Sequence, residues 1–173
     1  GIAPGGGALV TQSYLLEGER DRGVELLEGG LDAGAVLARL LDPAFDPDFA
    51  QRQIAVIDAR GGIASYTGPE ALAFAGHASR EAGTLSVAVQ GNVLTGREVV
   101  EEALAAALAP SACDVPARLL SALEAGGRDG RGDARCTPLG VSAQSATLRA
   151  GAFAIDVGVA EPGGGEEPLA TLR

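Results

Sequence analysis

The chain has 173 residues, one domain's worth: enough to bury a core and too short for two comfortable domains. Its 13 basic and 23 acidic side chains leave a formal charge of -10, which repels phosphate backbones and anionic headgroups and sets nucleic acid and membrane surfaces aside as partners. Every cation is Arg and none is Lys, so Schiff-base chemistry and a phosphate-loop lysine are excluded, while 46% apolar and 3% aromatic content predicts a globular core of Ala, Val, Leu and Ile.

In chain order, the glycines at 5–7 lead into an apolar strand over residues 8–12. Helical periodicity follows at 22–27 and 32–41, the second with Ala33, Val36, Leu37, Leu40 and Leu41 on one face and Pro43 as its stop. Residues 53–58 and 63–67 read as two antiparallel strands joined at Ala59-Arg60-Gly61-Gly62, where glycine supplies a positive φ. Asp58, ahead of that turn, reads as a turn-capping carboxylate. Residues 85–90 alternate, with Leu85, Val87 and Val89 opposite Ser86, Ala88 and Gln90.

Thr95 and Glu98 have the spacing of a capping box before a helix whose apolar stripe is Val99, Val100, Ala103, Leu104, Ala107 and Leu108. A second helix is expected over 115–125, capped by Asp114, with Pro116 in its first turn and Gly126 just past its end. Residues 126–136 have no hydrophobic period and read as a loop. Strands at 145–149 and 153–159 follow, and the glycines at 163–165 open a flexible C-terminal extension over 163–173. Antiparallel strand neighbours with consecutive helices predict an α+β fold in a single domain over 1–173.

No apolar run approaches the roughly 18–20 residues needed to span a bilayer, and no signal-peptide pattern opens the chain, so a cytoplasmic setting is the expectation. Cys113 and Cys136 lack a CxxC or a histidine companion and make no zinc site; free thiols are expected, and neither a metal nor a cofactor is implied. The Ala-rich helices could pack across a dyad in a homodimer, though no spacing specifies it.

Three features could carry chemistry. Val89-Gln90-Gly91-Asn92 places the one asparagine of the chain at a strand end beside glycine; it reads as a turn, or as a carboxamide donating to a developing oxyanion. Gln12 ends the first strand similarly. His77 is the sole imidazole, the side-chain type suited to proton transfer near neutrality, and reads either as structural or as catalytic. The loop at 128–135 holds three Arg, among them Arg131 and Arg135, and two Asp, including Asp133. Such a loop is either self-neutralising or a cationic cradle for a carboxylate or phosphate.

Taken as an ordered set, Gly5-Gly6-Gly7-Ala8-Leu9-Val10-Thr11-Gln12, Gly23-Val24-Glu25-Leu26-Leu27, Arg52-Gln53-Ile54-Ala55-Val56-Ile57-Asp58 with Gly61, Tyr66-Thr67-Gly68, Ala75-Gly76-His77 and Val89-Gln90-Gly91-Asn92 resemble the DUF1028 family. Residues 130–136 resemble the Gly-Asp-x-Arg-Cys loop of one of its branches. The resemblance implies an N-terminal-nucleophile (Ntn) hydrolase-like fold, a four-layer αββα sandwich, in bacterial and archaeal proteins of mostly unassigned function. Such proteins usually open with Met-Thr-Phe-Ser or a close variant and a further strand, so the expectation is that this chain is N-terminally truncated.

In the wider superfamily a terminal Thr, Ser or Cys is the nucleophile and its own amine the base. Gly1 has no side chain and cannot serve. The resemblance carries over Asn92 on the oxyanion side, with His77 and Asp133 as pocket residues. Two functions are therefore expected to compete: an amidohydrolase acting on an amide or related C–N bond of an unidentified small molecule, with its nucleophile outside this chain, and a non-catalytic domain binding a small anion through residues 128–135.

Overall fold

The computed structural model describes residues 1–110, 114–143, 145–150 and 155–160. They form helices and antiparallel sheets in two compact units, Gly1–Asn92 and Val93–Arg173. Cys113, Phe153 and the glycines at 163–165 lie outside the described residues.

The first unit is built on a four-stranded antiparallel sheet of β1 (Ile2–Ala3), β2 (Gly7–Gln12), β3 (Gln53–Asp58) and β4 (Ile63–Thr67), in that order. Strand period decides what each face does. On β3, Ile54 and Val56 point to α1 (Glu19–Glu28) and α2 (Ala33–Leu40), and pack with Leu9, Leu27, Val36 and Leu40 into the core. Asp58 continues that face. The alternate residues of β3 point the other way, toward a hairpin of β5 (Gly76–Ala82) and β6 (Leu85–Gly91) that packs on the sheet. The unit is thus a helix layer, a sheet and a hairpin.

The expected β3–β4 turn is present, with Gly61 at φ 85°. Asp58 does more than cap it. Its Oδ1 accepts from Arg60 N at 2.8 Å and Gly62 N at 3.0 Å, while Oδ2 accepts from Ala33 N at 2.9 Å, the first residue of α2. Asp32 caps the same helix through Ala35 N at 2.8 Å. These backbone donors, Ala33 first, hold the Asp58 carboxyl below its ordinary range. Asp58→Ala should cost about 2 kcal/mol at pH 7, because it orphans three N–H groups. A depressed carboxylate contributes stability above its unfolded pKa and loses it as pH falls through the folded one. The gap between wild type and variant in urea unfolding should therefore narrow on acidification; a gap that stays constant with pH contradicts this.

The helix α1 starts at Glu19, earlier than periodicity suggests, and buries Glu19 completely. Neither carboxylate oxygen completes a hydrogen bond, although the Thr11 hydroxyl lies near enough to favour the charged form. Burial pushes the Glu19 carboxyl up to about 7, with the Arg52 guanidinium opposing and Asp46 adding to the rise. Arg52 and Asp46 are themselves a buried fork: Nε to Oδ2 at 2.8 Å and Nη2 to Oδ1 at 3.1 Å.

In the second unit, α3 (Glu98–Leu108) packs against α4 (Val115–Gly126), with Val100, Ala103, Leu104 and Ala107 buried as the stripe predicts. Arg118 of α4 donates to Ala107 O and Ala109 O, both at 2.8 Å, satisfying carbonyls where α3 ends. Asp114 caps α4 through Ala117 N, and the helix runs through Gly126, so that Gly127 takes the capping position expected of Gly126.

The capping box is corrected. Arg97 occupies the N-cap of α3 and no side chain caps it. Thr95 instead joins the following loop, donating its N–H to Gly132 O at 2.9 Å and accepting Gly132 N on Oγ1 at 3.3 Å. That loop includes a 3-10 turn at Arg128–Gly130. Gly132 has φ 118°, and a Cβ there would stand 2.3 Å from Ser142 O, so only glycine fits. Beyond it β7 (Ser145–Ala150) and β8 (Ile155–Ala160) pair antiparallel. Cys136 is buried.

Candidate functional site

Sheet register brings the first group of residues together. Gln12 on β2 stands opposite Gln53 on β3, and Gln53 opposite Thr67 on β4, so three polar side chains form one rung on the face toward the hairpin. On the hairpin, Gly76 stands opposite Gly91 and His77 opposite Gln90, a matching pair of rungs. Asn92 follows directly.

Gln53 is fully buried at the centre of this cluster. Its Oε1 accepts from Gln12 Nε2 at 3.0 Å and Asn92 Nδ2 at 3.1 Å, filling both lone pairs. Its Nε2 faces Gly91 O at 2.8 Å, Thr67 Oγ1 at 3.1 Å and Gly76 O at 3.2 Å, two protons shared among three acceptors. Thr67 Oγ1 lies 2.9 Å from His77 Nδ1. Gln90 Nε2 reaches Val10 O and Gln53 O at 3.4 Å each. One amide therefore ties the ends of five strands together.

Of the residues singled out from sequence, Gln12, His77 and Asn92 converge here. Gln53, Thr67 and Gln90 belong to the same cluster and were not foreseen as site residues. The only signal available was that each is a polar residue at a strand end, and register is needed to see that they share a rung.

Arg131, Asp133 and Arg135 lie in the second unit and form a different group. Arg135 forks onto Asp133 with contacts from 2.5 to 3.2 Å, which depresses the Asp133 carboxyl and raises the guanidinium. Arg131 pairs closely with Glu102 and more distantly with Asp129 at 3.9 Å. Each of these two cations faces a carboxylate, so an anionic ligand would have to displace one.

A cavity of about 400 Å³ opens at the other end of β3, beside Gly5, Gly6, Leu31, Asp58 and Arg60. Asp58 is already committed there to backbone donors. Among the described residues no group of three His, Cys, Asp or Glu side chains is placed to hold a metal, and no helix is long and apolar enough to cross a membrane.

No curated protein matches the chain. The crystal structure of protein SPO2555 from Silicibacter pomeroyi, described as a DUF1028 protein, is similar with a TM-score of 0.71 at 21% identity, over 95% of this chain and 68% of that one, which shows a shared fold. The model of DUF1028, a family of unknown function, matches residues 2–161, and the chain belongs to that family.

Proposed function

We propose that the protein is an Ntn-hydrolase-like amidohydrolase acting on a neutral amide or related C–N bond, with the Asn92 carboxamide polarising the carbonyl under attack. The observation that carries this reading is the convergence of Asn92, Gln12, Thr67 and His77 on the buried Gln53. Asn92 Nδ2 spends one N–H on Gln53 Oε1 and has a second to offer. Because Gln53 is itself fixed by hydrogen bonds, that donor is oriented before substrate arrives, which is what makes an oxyanion donor effective.

The cluster also favours a neutral group. Gln12, Gln53, Thr67, Gln90 and Asn92 carry no charge, so nothing among them rewards a phosphate or carboxylate, whereas the cations at 131 and 135 face carboxylates already. The family resemblance assigns the nucleophile to a terminal Thr, Ser or Cys with its amine as base, and Gly1 is not that residue.

The test is amine or ammonia release from a panel of neutral amides by the full protein. Asn92→Ala should lower kcat by about 10²–10³ with KM little changed. Absence of hydrolysis across the panel, or a variant with wild-type kcat, overturns the reading.

A further inference from the structure

We propose that Thr67 and His77 are a nucleophile and base pair, so that Thr67 Oγ1 accepts an acyl group within these 173 residues. This rests on the acyl-transfer reading of the same site and adds an acceptor inside the chain.

In the Nε2–H tautomer of His77 the hydrogen-bond roles direct the Thr67 hydroxyl proton to the imidazole. Gln53 Nε2 can only donate, so Thr67 Oγ1 accepts there at 3.1 Å. The hydroxyl proton is then available to His77 Nδ1, 2.9 Å away. That arrangement leaves the ring proton on Nε2 and Nδ1 free to act as base. His77 is exposed and Thr67 is the last residue of β4, so an acyl donor and water can reach both. Thr67 Oγ1 and Asn92 Nδ2 are bound to opposite ends of the Gln53 amide, which holds nucleophile and oxyanion donor one side chain apart.

The chemistry balances with water as the co-reactant. Nδ1 takes the hydroxyl proton as Oγ1 bonds to the carbonyl carbon, and the carbonyl π pair moves to its oxygen, toward the Asn92 N–H. The Gln53 N–H steadies the charge developing on Oγ1. Collapse of the tetrahedral adduct breaks the bond to the leaving amine or alcohol, which takes the proton from the imidazolium. Acyl-Thr67 remains. Water, deprotonated by the same nitrogen, attacks it; the second tetrahedral adduct breaks its bond to Oγ1, which takes that proton back, so that a carboxylic acid leaves and Thr67 and His77 are restored.

The experiment treats the 173-residue chain with p-nitrophenyl acetate, a neutral activated ester, quenches in acid and maps acetylated peptides. With no Lys in the chain, amine labelling is confined to the N terminus. One acetyl group on Thr67 is expected, kept by Thr67→Ser and lost in Thr67→Val and His77→Ala, each variant melting as a folded protein. Acetyl groups found only elsewhere overturn the pair. If, in the full protein, Thr67→Val turns over amides at the wild-type rate while Asn92→Ala is impaired, the pair falls and the amidohydrolase reading stands. If Thr67 stays unlabelled in the chain and the full protein cleaves no ester or amide, both fall.

Discussion

Asp46→Ala should lower the free energy of unfolding by about 3–5 kcal/mol, because it strands the Arg52 guanidinium in the interior. The side chains of Arg52 and Asp46 are only 7% and 1% exposed, and the two nitrogens of the fork are 2.8 and 3.1 Å from the carboxylate. Arg52 also donates to Tyr14 O, and Asp46 Oδ1 accepts from Asp48 N at 3.0 Å, so the pair organises the chain on either side of it. Removing both charges is gentler than removing one. The double variant Asp46→Leu, Arg52→Met should lose less than Asp46→Ala alone, and urea unfolding of the three proteins decides it. A single variant within about 1 kcal/mol of wild type would show the pair to be energetically idle.

A second large effect belongs to Glu19. Burial raises its carboxyl from the ordinary 4.5 to about 7. A group raised in the folded state contributes stability that is complete below the unfolded pKa and is lost as pH rises through the folded one. Stability should therefore fall by about 3 kcal/mol between pH 4.5 and pH values above 7, at about 1.4 kcal/mol for each tenfold change in proton affinity. Glu19→Gln cannot ionise. The difference between wild type and this variant, followed by urea unfolding from pH 5 to 8, should shift against wild type as pH rises, and parallel curves would refute the assignment. Asp46→Ala and Glu19→Gln should not add: without Asp46, Arg52 becomes the dominant charge facing Glu19 and draws its carboxyl back toward the ordinary range.

Much of the fold is legible from local chemistry. The β3–β4 hairpin is written in two apolar runs and a glycine turn, and α2 in its apolar stripe, though the sequence places Asp32 inside the helix and the structure makes it the cap. The strand β5 is not legible, because His77, Ser79, Arg80 and Glu81 break any alternation; it forms by pairing with β6, which no local pattern announces. The Thr95–Glu98 spacing fails as a cap for a related reason: Gly132, far along the chain, competes for the hydroxyl and wins. The candidate site divides the same way. Asn92 and His77 stand out by residue type and Gln12 as a strand end, whereas Gln53 reads as an unremarkable strand boundary until register places it between them. Glu19 and Asp46 carry no signal either, since an acidic residue beside polar neighbours looks exposed.

The rung at Gln53 has a consequence for folding as well as for chemistry. Side chains change face with every residue of a strand, so sliding β3 by one position would turn Gln53 toward the helix layer and present Ile54, or in the other direction Arg52, to Gln12, Thr67 and Asn92. Each amide buried without its partner costs about 1–3 kcal/mol, a penalty that a purely apolar strand end would not impose. The cluster thus discriminates between registers: a mispaired sheet is penalised at the same place where the correctly paired one brings its polar side chains together.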